Sequence, residues 1–397
     1  MSRRKTDILI VGAGIIGLTI ARELVRRKSG KILIIEKEEK LGAHASGRNS
    51  GVLHAGIYYS PDSLKAKTCI EGNLLMREYC REKDLPLHDC GKLIVATKEE
   101  ELPVLDELYE RGKKNGSPVE MVDEKRASEI EPAARVVKRA LYSPLTAVVD
   151  PLPILHSLKR DLEESGTVEF LSPCRYLTLK GPRTALTSTG EVEFSRFINA
   201  SGAYCDRVAV DFGVGKKFRL IPFKGIYRKL RREKAHLVRG NIYPVPDISY
   251  PFLGVHFTRS IHGEVYIGPT ATPALGRENY GILRGLDSEA PSILLTDALL
   301  FLKNPAFRRL AIEETRKYIP SRFFKDASRL VRGLTPEDIV PSEKAGIRAQ
   351  LVDRETGDLV TDFVVESTEE SVHILNPISP AFTSSMSIAR QIADRFF

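Results

Sequence analysis

The stretch Asp7-Ile8-Leu9-Ile10-Val11-Gly12-Ala13-Gly14-Ile15-Ile16-Gly17 decides the fold. Its first five residues form a nearly continuous apolar run, as expected of a parallel strand buried on both faces. Gly12 to Gly17 then match G-x-G-x-x-G, and Leu18, Ala21, Leu24 and Val25 recur at helical spacing until Arg26-Arg27-Lys28 and Gly30. Lys31-Ile32-Leu33-Ile34-Ile35 supplies a second strand, with Glu36 at its end. Strand, glycine turn, helix, strand and acid in that order predict a dinucleotide site. Gly12 permits the tight turn, Gly14 lets the backbone approach a pyrophosphate, and Gly17 lets helix pack on strand. Ala13, Ile15 and Ile16 complete the turn and open the helix, whose unpaired N–H groups and positive dipole end face the phosphates. Glu36 would accept hydrogen bonds from the adenosine ribose. The fingerprint alone does not separate a nicotinamide from a flavin dinucleotide.

Working outward, 397 residues at ~150 per domain suggest two or three units. With 42% hydrophobic and 28% charged residues the chain reads as soluble and globular, which excludes disordered, collagenous and coiled-coil classes. Cys69, Cys80, Cys90, Cys174 and Cys205 are odd in number and form no C-x-x-C pair, so a disulfide scaffold, a zinc knuckle and a thioredoxin-like centre are all disfavoured. A reducing compartment fits. No run approaches the ~18 apolar residues of a membrane span, and the basic N-terminus leads into a glycine turn rather than a signal-peptide core. The expected location is therefore cytoplasmic. Net charge is +8, but Lys and Arg are scattered among 52 Asp and Glu, which reads as a solvated surface and not as a nucleic-acid footprint.

The remainder does not repeat the first mononucleotide-binding half. Glu99 to Gly112 and Glu124 to Ile130 read as surface helices; Arg219 to Leu230 and Gly254 to Pro269 read as strands of a separate mixed sheet. Phe197-Ile198-Asn199-Ala200 is another apolar strand, running into Ser201-Gly202-Ala203 beside the first glycine loop. Ala290 to Lys325 reads as helical, basic and aromatic, broken by Pro305 and Pro320. Core packing is its first reading; peripheral docking on the inner face of a membrane is the alternative. Val372 to Leu375 predicts a strand, and Ser384 to Phe397 a helix with Ser and Thr as capping candidates. The expected fold class is α/β, a Rossmann-like dinucleotide domain with a discontinuous, largely antiparallel α+β substrate domain. The expected boundaries are 1–85, 146–215 and 335–397 for the first and 86–145 and 216–334 for the second.

Gly42-Ala43-His44-Ala45-Ser46-Gly47-Arg48-Asn49-Ser50-Gly51-Val52-Leu53-His54-Ala55-Gly56-Ile57-Tyr58-Tyr59 resembles the flavin-dependent oxidoreductases of the D-amino-acid oxidase and glycine oxidase superfamily, and within it the L-2-hydroxyglutarate oxidase/dehydrogenase group. Ser63-Leu64-Lys65-Ala66, Pro222-Phe223-Lys224-Gly225, Gly254-Val255-His256-Phe257-Thr258-Arg259, Ala345-Gly346-Ile347-Arg348-Ala349-Gln350 and Ser379-Pro380-Ala381 extend the likeness over nearly the whole chain. The resemblance implies FAD as the cofactor. Glu36 and Lys37 would hold the adenosine end. Ser46, Gly47, Arg48, Asn49, Ser50 and Gly51 would run beside the pyrophosphate and isoalloxazine. The backbone at Cys174 would meet the adenine, and Ala200 and Gly202 would complete the cradle. Ser379, Pro380 and Thr383 would set the terminal helix against the flavin, where its positive end stabilises charge near N1 and the C2 carbonyl.

The implied reaction is oxidation of an (S)-2-hydroxy acid, first of all L-2-hydroxyglutarate to 2-oxoglutarate. Arg348 resembles the family arginine that grips the substrate carboxylate beside the flavin; a guanidinium suits that task because its fork donates two parallel hydrogen bonds. His54 and His256 are the candidates for taking the hydroxyl proton, since an imidazole accepts a proton near neutrality. Tyr58, Lys224, Tyr227 and Thr258 would line the pocket, where a second cation would help bind a dicarboxylate. Arg48, Ile226 and Thr270 depart from the closest family pattern and bear on the distal part of the substrate. An oxidase of small amines or amino acids and a non-catalytic FAD-binding subunit of a membrane complex are the rival readings. Quinone, oxygen or a redox protein would serve as electron acceptor.

Overall fold

The computed structural model describes residues 2–247, 254–282 and 284–397. β1 (Ser2–Val11), α1 (Ile15–Arg26) and β2 (Ile32–Ile35) follow in the predicted order. Two more helices, α2 (Ala45–Arg48) and α3 (Leu64–Glu82), come next. β1 pairs in parallel with β2 on one side and with the strand Gly190–Asn199 on the other. Val168–Leu171 extends this parallel array beyond β2, and Ser371–Leu375 beyond Gly190–Asn199.

Helices and strands cover both faces of this sheet, which is why its strands read as unbroken apolar runs. Ile8, Ile10, Ile32 and Ile34 face one core with Leu18 and Leu24 of α1, Leu155 and Leu158 of the helix Pro151–Glu164, and Ile388 and Ile392 of the C-terminal helix Ala381–Phe396. The alternate residues Leu9, Val11, Leu33 and Ile35 face the other, with Phe194, Phe197 and Cys174. Burying one such aliphatic side chain stabilises by about 1.5–3 kcal/mol.

The second sheet centres on Phe218–Leu230, which pairs antiparallel with Ile339–Asp353 from Phe218 opposite Asp353 to Leu230 opposite Ile339. Val265–Gly268, His256–Arg259, Asn241–Pro244, Lys92–Val95, Arg139–Ser143 and Glu120–Asp123 follow outward from Phe218–Leu230. Among the described residues its pairs are antiparallel except Asn241–Pro244 on Lys92–Val95. The expected mixed architecture is therefore present.

Pro305 and Pro320 break the helical stretch as expected: each stands at the first position of a new helix, Pro305–Arg316 and Pro320–Ser328, after Ala290–Lys303. Proline suits that position because its missing N–H has no helical partner there. The terminal helix starts at Ala381, not Ser384, with Pro380 at its N-cap and no side-chain cap. Thr383, Ser384 and Ser385 lie inside it and are buried. Their small side chains allow α3 to approach: a Cβ on Gly72 would lie 2.3 Å from the Thr383 carbonyl oxygen. The predicted Ser and Thr caps are thus packing residues.

Candidate active site

A cavity of about 930 Å³ is lined by the glycine turn after β1, by the segment around α2, by the start of the terminal helix and by the second sheet. At the turn, Gly12 has φ +106°, and a Cβ there would lie 2.5 Å from the Ala200 carbonyl oxygen. A Cβ on Gly17 would lie 2.0 Å from the Gly12 carbonyl oxygen. Glycine is therefore the residue the backbone tolerates at both positions. Gly14 is the N-cap of α1, has no capping side chain, and no acid occupies the first turn. The Ile15 N–H donates to Ser46 Oγ at 2.9 Å, and the Ala13 N–H to Glu36 Oε2 at 2.9 Å, which places Glu36 and Ser46 beside the turn.

Ala13, Gly14, Ile15, Ile16, Glu36, Lys37, Ser46, Arg48, Asn49, Ser50, Cys174, Ala200 and Gly202 line the cavity with Gly12, and Ser379, Pro380 and Thr383 line it from the lead-in and first turn of the terminal helix. Lys37 Nζ donates to Glu278 Oε1 at 2.6 Å, lies 2.7 Å from His44 Nε2 and also meets Glu38. These hydrogen bonds from Lys37 and His44 pull the Glu38 carboxyl down to about 2. The Arg48 guanidinium lies over the Tyr280 ring at 4.1 Å. Glu278 and Tyr280 were not singled out in the sequence, because only the tertiary fold brings residues near 280 to the end of β2.

Five expected site residues do not line the cavity. Gly17 serves helix packing. Gly47 and Gly51 serve backbone approach, since a Cβ would lie 2.1 Å from the Gly42 and 2.4 Å from the Val149 carbonyl oxygen respectively. Lys224 is turned away by the pleat: Phe223, Gly225 and Tyr227 line the cavity, so the intervening residue points to the opposite face. Its Nζ donates to the Gly281 carbonyl at 2.6 Å and to Asn279 Oδ1 at 3.2 Å. Thr258 is buried two residues beyond His256, off the cavity wall.

His54, Tyr58, Tyr227, His256 and Arg348 do converge on it. Arg348 stands opposite Phe223 in the ladder and thus on the same face as the other lining residues. Its Nε donates to Gln350 Oε1 at 3.2 Å, and burial lowers the guanidinium to about 10. His256 Nδ1 lies 2.9 Å from the Gly254 carbonyl, which can only accept, so Nδ1 carries the hydrogen and Nε2 keeps its lone pair. The ring stacks on Tyr243 at 3.9 Å. His54 Nδ1 is buried without a hydrogen-bond partner, and its Nε2 lies 3.5 Å from Ser379 Oγ. Burial lowers both imidazoles to about 3, helped at each by the nearby charge of Lys92. Both rings are neutral at physiological pH, so each keeps one ring nitrogen free of hydrogen. Two buried lysines accompany them: Lys65, on the cavity wall, and Lys92, whose Nζ lies 4.6 Å from the Tyr58 and 5.1 Å from the Tyr243 ring centroid.

The model of the DAO family, FAD dependent oxidoreductases, matches residues 7–395. The chain belongs to this family. Among curated relatives of this oxidoreductase, the mitochondrial L-2-hydroxyglutarate dehydrogenase of Nematostella vectensis is 40% identical over 417 residues, covering 98% of this chain and 90% of the relative. The Homo sapiens protein of the same name is 37% identical, covering 98% and 88%. Among solved structures, FAD-bound L-alpha-glycerophosphate oxidase from Mycoplasma pneumoniae has a TM-score of 0.75 at 23% identity, covering 98% and 94%, a likeness of fold.

FAD is the cofactor of this oxidoreductase, and the site fits it. Gly12 and Gly14 bring bare backbone to the cavity wall, and two helices, α1 and Ala381–Phe396, begin at the cavity without a side-chain cap or a first-turn acid. Such helix ends present unpaired N–H groups to anionic atoms.

Proposed function

We propose that this FAD-dependent oxidoreductase oxidises L-2-hydroxyglutarate to 2-oxoglutarate. The observation that carries the reading is the cavity wall on which a half-buried guanidinium, Arg348, stands with two neutral imidazoles, His54 and His256. The relatives' names supply the substrate. Bound FAD supplies a two-electron acceptor for the hydride leaving C2. Arg348 grips the C1 carboxylate through its fork and so orients C2. His256 Nε2, bare because Nδ1–H is held by Gly254, takes the hydroxyl proton as the C–O bond becomes a ketone. His54 is the second candidate for that proton. Gly12, Gly14 and the α1 N-terminus receive the pyrophosphate, while Glu36, with Lys37 beside it, takes the adenosine. Anaerobic mixing with (S)-2-hydroxyglutarate should bleach the flavin absorbance; no bleaching at millimolar substrate rejects the reading.

The same reading divides the chain into the two discontinuous units 1–85, 146–215 and 335–397 against 86–145 and 216–334. It also keeps the protein in the cytoplasm, with a peripheral membrane contact. Among the described residues no helix is long and apolar enough to cross a membrane. Ala290–Lys303 nevertheless exposes Leu294, Leu295, Leu299 and Leu302, and Arg316, Lys317, Arg322, Lys325 and Arg329 outnumber Glu313 and Asp326 in a cluster around the helices that follow. Such a surface would rest on an anionic bilayer and would let a quinone there serve as acceptor. Sedimentation with phosphatidylglycerol vesicles, lost on Leu295→Glu with Leu302→Glu, tests the contact.

A further inference from the structure

We propose that Lys65 is the residue that makes the site selective for a dicarboxylate, holding the carboxylate remote from the reacting carbon while Arg348 holds the near one. This assignment rests on the functional reading above and deepens it. Lys65 occupies the second position of α3, after Ser63, whose side chain caps the helix by accepting from the Ala66 N–H at 3.1 Å. Counting along the helix, Lys65, Cys69, Gly72 and Met76 fall on one stripe, the inward one, so the lysine is carried into the protein and not out to solvent. It is 5% exposed and lines the cavity.

Its surroundings offer the ammonium rings but no carboxylate in contact. Nζ lies 5.8 Å from the Tyr59 ring centroid and 5.5 Å from that of Phe363, and no ion pair within 4.0 Å involves it among the described residues. Asp362, the acid whose charge acts on it, turns its oxygens to backbone groups instead, accepting from the Leu64, Lys65 and Phe363 N–H groups at 2.7, 3.0 and 2.8 Å. Arg348 is close enough for the two cations to repel. A buried cation is retained at such a cost where a ligand supplies the opposite charge. Two cations on one cavity wall suit a ligand with two separated carboxylates. Lys224, the other lysine expected here, faces away.

The charge of Lys65 is also conditional. Burial, reinforced by Arg348 and opposed by Asp362 and Cys69, lowers it to about 7. A diacid binds the ammonium form, so its KM should rise above about pH 7, while a monoacid's should show no such limb.

The test compares (S)-2-hydroxyglutarate with (S)-2-hydroxypentanoate, which carries a methyl in place of the remote carboxylate, in the holoenzyme and in Lys65→Met and Lys65→Arg. In Lys65→Met the diacid-to-monoacid ratio of kcat/KM should fall at least thirtyfold, through KM more than kcat. Lys65→Arg should restore most of that ratio and abolish the pH limb. A ratio that persists in Lys65→Met, or a diacid pH limb that survives in Lys65→Arg, overturns the assignment. Glutarate, which has no hydroxyl to oxidise, separates the two levels of inference. If it perturbs the flavin spectrum and binds at least thirtyfold more weakly to Lys65→Met while 2-hydroxyglutarate never reduces the flavin, the functional reading fails and the Lys65 assignment stands.

Discussion

In the proposed function, the guanidinium of Arg348 is what turns a flavin pocket into an acid pocket. Replacing it by methionine, Arg348→Met, should leave the protein yellow and raise KM for the hydroxy acid about 10- to 100-fold, the worth of a bidentate charged contact. Unchanged turnover would remove Arg348 from the site. His256→Gln keeps a hydrogen-bonding side chain but has no basic nitrogen, so kcat should fall about 10²- to 10⁴-fold; if His54→Gln shows that loss and His256→Gln does not, the proton goes to His54. Both histidines were legible in the sequence as candidates because a motif surrounded each. Lys65 and Lys92 were not, although Lys65 lay in a quoted motif. Its signal was the helical stripe it shares with Cys69 and Met76, and the sequence by itself did not say that the stripe bounds a cavity.

At the scale of elements, the contact between α3 and the terminal helix sets where the latter's N-terminus points. Gly72→Ala would push a methyl into the Thr383 carbonyl and Ser384 Cα, 2.3 and 2.7 Å from its ideal position. Such overpacking costs about 1–3 kcal/mol. Thermal unfolding of the holoprotein should drop accordingly, and FAD should bind more weakly as the helix end moves off the cavity; a Gly72→Ala protein with unaltered Tm and FAD affinity would show that the helices adjust freely. β1, α1 and β2 were readable because their signals are local: an apolar run, a glycine spacing, a 3.6-residue period. The start of the terminal helix was misplaced because its Ser and Thr residues are set by packing against α3 and by the His54 N–H, which donates to Thr383 Oγ1 at 3.1 Å. Capping rules know nothing of either partner.

Two features act across the whole molecule. Arg277, buried, binds Asp206 of the helix Cys205–Asp211 and Glu289 just before Ala290, so it ties distant stretches of chain together. Removing one partner strands the others, and Arg277→Met should cost about 3–5 kcal/mol in denaturant unfolding. The second feature is the set of imidazoles held neutral by burial: His54 and His256 at about 3 and His373 at about 4. Each binds a proton in the unfolded chain below about 6.5 that it refuses when folded. Their contribution is therefore complete above that pH and is lost as pH falls towards the folded values, by up to about 1.4 kcal/mol per unit for each group. Tm should decline from pH 6.5 to pH 4, and His256→Gln should flatten the decline; an equally steep fall in that variant would place the titration elsewhere.

The sequence by itself determined the dinucleotide half, since glycines, apolar runs and a terminal acid act through neighbours a few residues away, and it singled out Arg348, His54 and His256, which line the cavity. Tertiary structure alone decided which cations face the cavity. Strand pleat turns Lys224 outward and helical phase turns Lys65 inward, and whether either direction means solvent, core or substrate depends on what the rest of the chain packs against that face.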